Sequence, residues 1–138
     1  MKNQLYTGTS TSRRQVALPD VAAFTGANDQ GIPILVGAMP AVTLDNYQAN
    51  LAGATALFNG SFSLTVVGSS THSPYTPLAL NPGDKVYASG TLDSGTNVTY
   101  NLLLSGDSSD TFFGHIDPTG PGVGAGLTAI VGVVINAI

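Results

Sequence analysis

The residues best suited to chemistry are His115 and Asp117, which stand two positions apart near the end of an apolar segment. Alternation along a β-strand would place both side chains on one face, where a Ser/His/Asp triad needs its histidine and aspartate. The chain has no Gly-x-Ser-x-Gly sequence to present a serine nucleophile at a sharp turn. A hydrogen-bonded surface histidine explains the pair more simply. We therefore expect no enzyme, and a small hydrolase is the catalytic alternative.

Two polar segments, 93–97 and 107–110, concentrate oxygen atoms of the kind that bind Ca²⁺. A Ca²⁺ loop usually supplies about six oxygens or more and ends on a bidentate glutamate, and this chain contains no glutamate. Both segments also suit turns in which an aspartate side chain bonds to nearby backbone. His72 lies in a polar loop, where a solvated imidazole is the default, so we expect neither a metal nor another cofactor.

Charge is sparse in this chain. Charged residues make up 9% of the 138 residues, against about 25% in typical soluble domains, while 43% are hydrophobic. The net charge of −4 argues against nucleic-acid binding, which requires clustered lysine and arginine. The surface is either coated with Ser, Thr and Asn in a monomer, or covered by copies of the chain or by another protein. We favour the second reading because extensive exposed apolar area usually marks a partner.

The segment that raises the question of a membrane is 127–138, which is almost continuously apolar. Its twelve residues are fewer than the about twenty that a helix needs to cross a bilayer, so we expect no membrane span. Its β-branched residues favour a buried closing strand instead. The polar residues after Lys2 lack the apolar core of a secretory signal.

The stretch 81–116 is organised as three short apolar segments separated by turn residues. In the middle segment apolar and polar residues alternate with the period of a half-buried strand. Similar short segments occur on both sides, and Asn59-Gly60 predicts either a hairpin turn or a bulge within one long strand. The predicted strands are Gln15–Leu18, Ile32–Val36, Val42–Leu44, one or two within Ala54–Val67, Val86–Ala88, Val98–Leu104, Phe112–Ile116 and one within 127–138. About seven to nine short strands predict an all-β domain over 15–138, a compact small β-barrel or sandwich.

Residues 1–14 are predicted to form an extended N-terminal arm, because they have no hydrophobic period and few apolar side chains. They hold three of the four basic residues of the chain. The arm is either a frayed terminus or a segment that becomes ordered against a neighbouring subunit. In the second case Leu5 and Tyr6 would anchor it, and Arg13 and Arg14 would meet carboxylates.

The tyrosines suggest a different kind of binding site. Tyr47, Tyr75 and the polar loop 69–77 could together bind a carbohydrate or a receptor on a virion or cell surface. We expect Tyr87 and Tyr100 to pair across a sheet, with buried rings and solvated hydroxyls.

An ordered series of motifs resembles the small capsid cement, or decoration, proteins of tailed bacteriophages, in particular the DUF2190 family. In chain order the motifs are Gly31–Gly37 (GIPILVG), Ala41–Leu44, Gly60–Leu64 (GSFSL), Pro82–Tyr87 (PGDKVY), Gly90, Asp93, Thr96–Tyr100 (TNVTY), Phe113-Gly114 and a β-branched terminal strand. The similarity covers roughly residues 30–138. The loop 68–77 departs from it as an insertion, and the arm does not align.

The resemblance implies a β-rich structural protein of the virion, assembled in the host cytoplasm, that binds the outer surface of the head. It would bridge and stabilise neighbouring subunits of the major capsid protein. It would act as a homotrimer, with a dimer as the second choice, and would need no catalytic residue. Carbohydrate or receptor binding is the alternative function.

Overall fold

The computed structural model describes residues 12–138, so Leu5 and Tyr6 of the predicted arm lie outside the described residues. Nine β-strands and no long helix make up this part of the chain. The strands are β1 (Arg13–Ala17), β2 (Pro33–Val36), β3 (Met39–Thr43), β4 (Gly53–Leu57), β5 (Asn59–Val67), β6 (Lys85–Asp93), β7 (Val98–Ser105), β8 (Thr111–Ile116) and β9 (Thr128–Asn136). The predicted all-β class is confirmed. Among the described residues, no helix has the length and apolar character to span a bilayer.

Five of the strands close into a mixed β-barrel in the order β7-β5-β9-β8-β6, with β6 pairing back onto β7. All neighbours in this ring are antiparallel except β5 and β7, which pair in parallel at Val66–Leu104 and Val67–Ser105. The longest pairing joins β5 to β9 over nine residue pairs. The apolar C-terminal segment is therefore the closing strand that its composition predicts.

The barrel interior is filled by the inward-facing residues of these strands. Phe113 and Ile116 of β8, together with Val133 of β9, are completely buried. They pack with apolar residues from every other barrel strand and from the loops that cover one end. Alternation of buried and exposed residues along β5 and β9 matches the two faces of a sheet with one side on the core.

The four remaining strands form an extension of the same sheet in the order β1-β4-β3-β2, joined to the barrel where β2 pairs with β7. This extension has a hydrophobic core of its own. The buried residues of the second core are Val16, Leu18, Phe24, Ile34, Ala41, Ala54, Ala56, Phe58 and Val98. The extension is thus held by burial of its own apolar face as well as by backbone pairing.

Strand β7 serves both cores. Its first half contributes Val98 and Tyr100 to the second core, while Leu104 points into the barrel. Between the halves Asn101 has φ of 52°, and the register with β6 shifts at the same level, between Ser89 and Thr91. A bulge of this kind bends a strand and re-aims its side chains, so one strand can line two cores.

Several local predictions need correction. Of the two conformations left open for Asn59-Gly60, the hairpin turn is wrong, because both residues belong to strand β5 and pair with β9, and Gly60 has φ of 139°. Strand β3 begins at Met39, three residues before the predicted Val42, because residues 37–38 form a tight hairpin turn in which Val36 pairs with Met39. Strand β1 begins at Arg13, two residues earlier than the predicted Gln15. In each case partners distant in sequence selected among conformations that the local residues allow.

Candidate binding surfaces

The structure brings a serine close to His115 and Asp117, but in the wrong order for a triad. Ser61 of β5 and His115 of β8 both pair with Val134 of β9. The Ser61 hydroxyl lies 3.1 Å from Asp117 Oδ2, while the other oxygen of Asp117 accepts bonds from the Thr119 hydroxyl and N–H. These bonds, those of Thr119 first, hold the pKa of Asp117 below its usual value. A triad requires the histidine between serine and aspartate, so this arrangement is that of a structural turn.

His115 itself contacts an aromatic ring. Its imidazole packs edge-on against Phe112, with ring centres 5.3 Å apart, and Phe112 in turn packs against Tyr87 at 6.1 Å. Tyr100 packs against Phe24 in the second core. The expected pairing of Tyr87 with Tyr100 is therefore wrong, because the bulge in β7 sends Tyr100 to the other core.

The polar loop 68–77 is tied to the β7–β8 turn by a hydrogen-bonded cluster. His72 Nε2 lies 2.8 Å from Asp110 Oδ1, and the Thr71 hydroxyl lies 2.6 Å from Asp110 Oδ2. Asp107 accepts the Thr71 N–H at 2.8 Å and the N–H and hydroxyl of Ser109. A loop that could have been freely solvated is thereby fastened to the barrel, which no spacing in the sequence predicted.

The cluster also sets the charge of its members. The hydrogen bond that the imidazole makes to the Asp110 carboxylate raises the pKa of His72 above its usual value, and the charge of Asp110 adds to that effect. Donors from Ser109, then from the backbone of Thr71, hold the pKa of Asp107 well below its usual range. His72 is therefore the member whose charge changes near neutral pH.

His72, Asp107 and Asp110 could also hold a metal ion, since one ligand atom from each lies within 4.8 Å of the others. The carboxylate oxygens already accept bonds from Thr71, Ser109 and the imidazole. A metal would have to displace some of those donors. In segment 107–110 the Asp107 side chain accepts the N–H of Ser109, which forms the expected turn. In segment 93–97 the Asp93 side chain accepts the N–H of Thr96 and forms a corresponding turn.

A buried carboxylate organises the loop before β2. Asp29 is 2% exposed, and it accepts backbone N–H groups from Gly26 at 2.8 Å, Tyr47 at 3.0 Å and Thr25 at 3.2 Å. Burial raises its pKa, but these bonds outweigh that effect and the net pKa lies below the usual value. Tyr47 is thus fixed against the second core, whereas Tyr75 stands 72% exposed on the 68–77 loop. The two tyrosines proposed to share a binding face occupy different environments.

Large apolar side chains remain exposed where β5 and β7 end and β9 begins. Ile130 pairs with Thr65, and Val66 pairs with Leu104, so Ile130 and Leu103 flank Thr65 on the outer face. Ile130 is 71% exposed. The surface is extended by loop residues held to Gly68, whose backbone bonds to both Leu78 and Leu127. We call it the apolar end; its members are Leu78, Leu103, Leu127 and Ile130.

A second apolar surface is a groove between the β2–β3 hairpin, β8 and the C-terminal residues. A cavity of about 350 Å³ lies beside Phe112, His115 and Val134, and a second of about 230 Å³ lies beside Phe58 and Ile138. The two cavities meet at Met39, which lines both. We call this the Met39 groove; its lining residues used below are Arg14, Met39, Phe58, Phe112, His115, Asn136 and Ile138.

Three residues of the predicted arm, 12–14, are described, and two of them, Arg13 and Arg14, lie on β1. Arg13 and Arg14 pair with Leu57 and Ala56 of β4, and both side chains are exposed. The Arg14 guanidinium donates to the backbone oxygen of Arg13, and no carboxylate of residues 12–138 forms a salt bridge with either arginine. Their expected meeting with carboxylates of another subunit is still a prediction.

No protein-family model, curated protein or solved structure matched the chain. The resemblance to phage cement proteins stays a prediction that rests on the motifs quoted above.

Proposed function

We propose that this protein is a cement protein of a tailed-bacteriophage head, which binds the outer capsid surface and bridges neighbouring major capsid subunits. The observation that carries the proposal is the apolar end, where Leu103 and Ile130 stand exposed on rigid barrel strands. Such a patch on a chain with 9% charged residues is what a surface covered by another protein requires. The proposal is supported further by the order of the motifs shared with that family.

The mechanism is adhesion without bond making or breaking. Each copy would bury its apolar end at a junction between capsid subunits, within a stable contact of about 1,600 Å². In a homotrimer, or a dimer, the first contact would raise the effective concentration of the others and so slow release. Leu5, Tyr6, Arg13 and Arg14 would add a second point of attachment to a neighbouring subunit.

Cosedimentation with intact heads tests the proposal. Purified protein would be mixed with heads of the phage whose genome encodes the chain, and copies per capsomer would be counted after sedimentation. We expect stoichiometric binding by the native chain. We expect Leu103→Thr/Ile130→Thr to weaken binding to heads at least about tenfold, because central apolar contacts dominate protein interfaces.

The matched control is Leu92→Thr, since Leu92 is also exposed but lies outside the apolar end, paired with Thr99 four residues before Leu103 on β7. Light scattering on each variant reports the oligomeric state, so loss of trimer and loss of head contact are separated. Absence of native binding to heads would reject the proposal.

Carbohydrate or receptor binding is the competing function, and its remaining support is the exposed Tyr75 on a fastened loop. A glycan array separates the two: a specific signal that Tyr75→Ser removes would favour the competitor.

A further inference from the structure

The Met39 groove exposes apolar side chains from three separate parts of the chain. Met39 starts β3, Phe112 lies on β8, and Ile138 is the last residue; all three are exposed. The groove is not purely apolar, because His115 and Asn136 also line it and offer hydrogen-bonding groups. A ligand that fits this lining is one with a large apolar body and a polar tip.

We propose that the Met39 groove is the docking site for Leu5 and Tyr6 of the chain's own N-terminal segment. The inference concerns the free protein and does not depend on binding to a head. It names as occupant a segment outside the described residues.

The point at which the segment leaves the described fold carries the argument. The backbone oxygen of Ser12 accepts the N–H of Phe58 at 2.8 Å, so residue 12 is fixed beside a residue that lines the groove. Arg14, two residues further on, lines it as well. The six residue steps from Tyr6 to Ser12 can span about 20 Å when the chain is extended, which lets Leu5 and Tyr6 reach the groove.

The chemistry of the segment matches the groove. Apart from Met1, its large apolar side chains are Leu5 and Tyr6, which are adjacent and surrounded by small polar residues. Leucine suits the part beside Phe58 and Ile138, which is lined by apolar side chains and by Arg14. Tyrosine suits the part beside His115, where its hydroxyl finds a polar partner.

Docking within one chain is favoured over docking in a second copy because the segment starts at the mouth of the groove. A short tether gives an effective concentration of about millimolar, well above that of separate protein molecules in dilute solution. Release of the segment would free Leu5 and Tyr6 for the contacts proposed on the head.

The absence of cysteine makes the test direct. A thiol introduced by Met39→Cys would be labelled with a maleimide, in the full chain and in the same chain carrying Leu5→Ser/Tyr6→Ser. We expect labelling to be at least about three times faster in the second protein. That ratio corresponds to a groove that the segment occupies about two thirds of the time in the full chain. Thr7→Ala/Thr9→Ala is the matched control in the segment and should leave the rate unchanged.

A thiol introduced by Tyr75→Cys, at an exposed position on the 68–77 loop that lines neither cavity of the groove, reports general changes and should label equally in all backgrounds. Circular dichroism verifies that each variant is folded. Equal rates at position 39 with and without Leu5 and Tyr6 would overturn the proposal. Protection that disappears on dilution would identify a second copy as occupant and would equally overturn it. Neither result depends on whether the protein binds heads.

Discussion

The imidazole of His72 lies 2.8 Å from the carboxylate of Asp110, a residue 38 positions further along the chain. The Asp110 side chain is 6% exposed, while that of His72 is 61% exposed. The pair therefore joins the exposed 68–77 loop to a nearly buried carboxylate in the turn between β7 and β8. It acts together with Thr71, which bonds to the same carboxylate.

Attachment of the 68–77 loop should depend on pH. Because the pKa of His72 is raised in the folded protein, the pair contributes fully below the unfolded value of about 6.5 and is lost as pH rises through the folded pKa. Amide exchange in 68–77, corrected for intrinsic rates, should be faster at about pH 8.5 than at about pH 6. Mass spectrometry of proteolytic fragments measures this.

His72→Gln should remove that pH dependence, whereas His115→Gln should keep it. Asp107 cannot cause the change, since its lowered pKa keeps it ionised throughout this range. Identical corrected exchange at both pH values in the native chain would contradict the prediction.

Asp29→Ala should destabilise the fold by at least about 2 kcal/mol, because it removes the buried carboxylate that accepts the backbone N–H groups of Gly26 and Tyr47. Urea denaturation at neutral pH measures the loss. The lowered pKa of Asp29 means that its contribution is present above the unfolded pKa of about 3.9 and falls as pH drops through the folded pKa. The difference from the native chain should therefore shrink in acid. Asp20→Asn, at an exposed position, should stay within about 0.5 kcal/mol at either pH.

Gly114→Ala should weaken the closure of the barrel. A Cβ at position 114 would lie 2.4 Å from the backbone oxygen of Val134, so β8 and β9 would have to separate. We expect a loss of about 1–3 kcal/mol in thermal or urea denaturation. Gly95→Ala is the control, because its Cβ would meet only the Asp93 carboxylate at 3.5 Å. If Gly114→Ala and Gly95→Ala were equally stable, β9 would be able to move away from β8 without a loss of folding free energy, and the prediction would be wrong.

Arg13→Gln/Arg14→Gln should weaken retention on heads while leaving the fold intact. Both side chains are exposed on β1, so the stability change should stay within about 0.5 kcal/mol per residue. The loss of retention should be largest at low salt and should shrink near about 0.15 M, where exposed charges are screened. Lys85→Gln removes a third exposed charge, on β6, and should not reproduce the effect. If heads retained the double variant as well as the native chain, the two arginines would not contribute to the contact.

The all-β class and most strands could be predicted from the sequence, because period-two alternation and turn residues are local properties. Phe112–Ile116 was predicted as a strand and is observed as β8 with one more residue. Val98–Leu104 likewise matches β7 to within one residue. The length and the type of a secondary-structure element depend mainly on residues that are neighbours in the chain, so the sequence alone can predict them.

Pairing partners could not be predicted in the same way. Asn59-Gly60 has a strong local preference for a hairpin turn, yet β5 pairs with β9 over its whole length. The choice is made by burial of Leu64 and Val66 beside Val131 and Val133, residues more than sixty positions away in the chain. Long-range burial outweighs the preference of a single dipeptide.

The candidate binding surfaces likewise depend partly on composition and partly on the tertiary fold. Sparse charge and excess apolar residues are properties of composition, so the sequence by itself predicts that apolar side chains remain exposed on part of the surface. The tertiary structure decided where. Barrel closure places Leu103 and Ile130 on either side of Thr65, and the hairpin at Met39 lies beside Ile138 to form a groove. These neighbours are brought together by pairing and core packing, whose free energy comes from contacts between residues far apart in the chain.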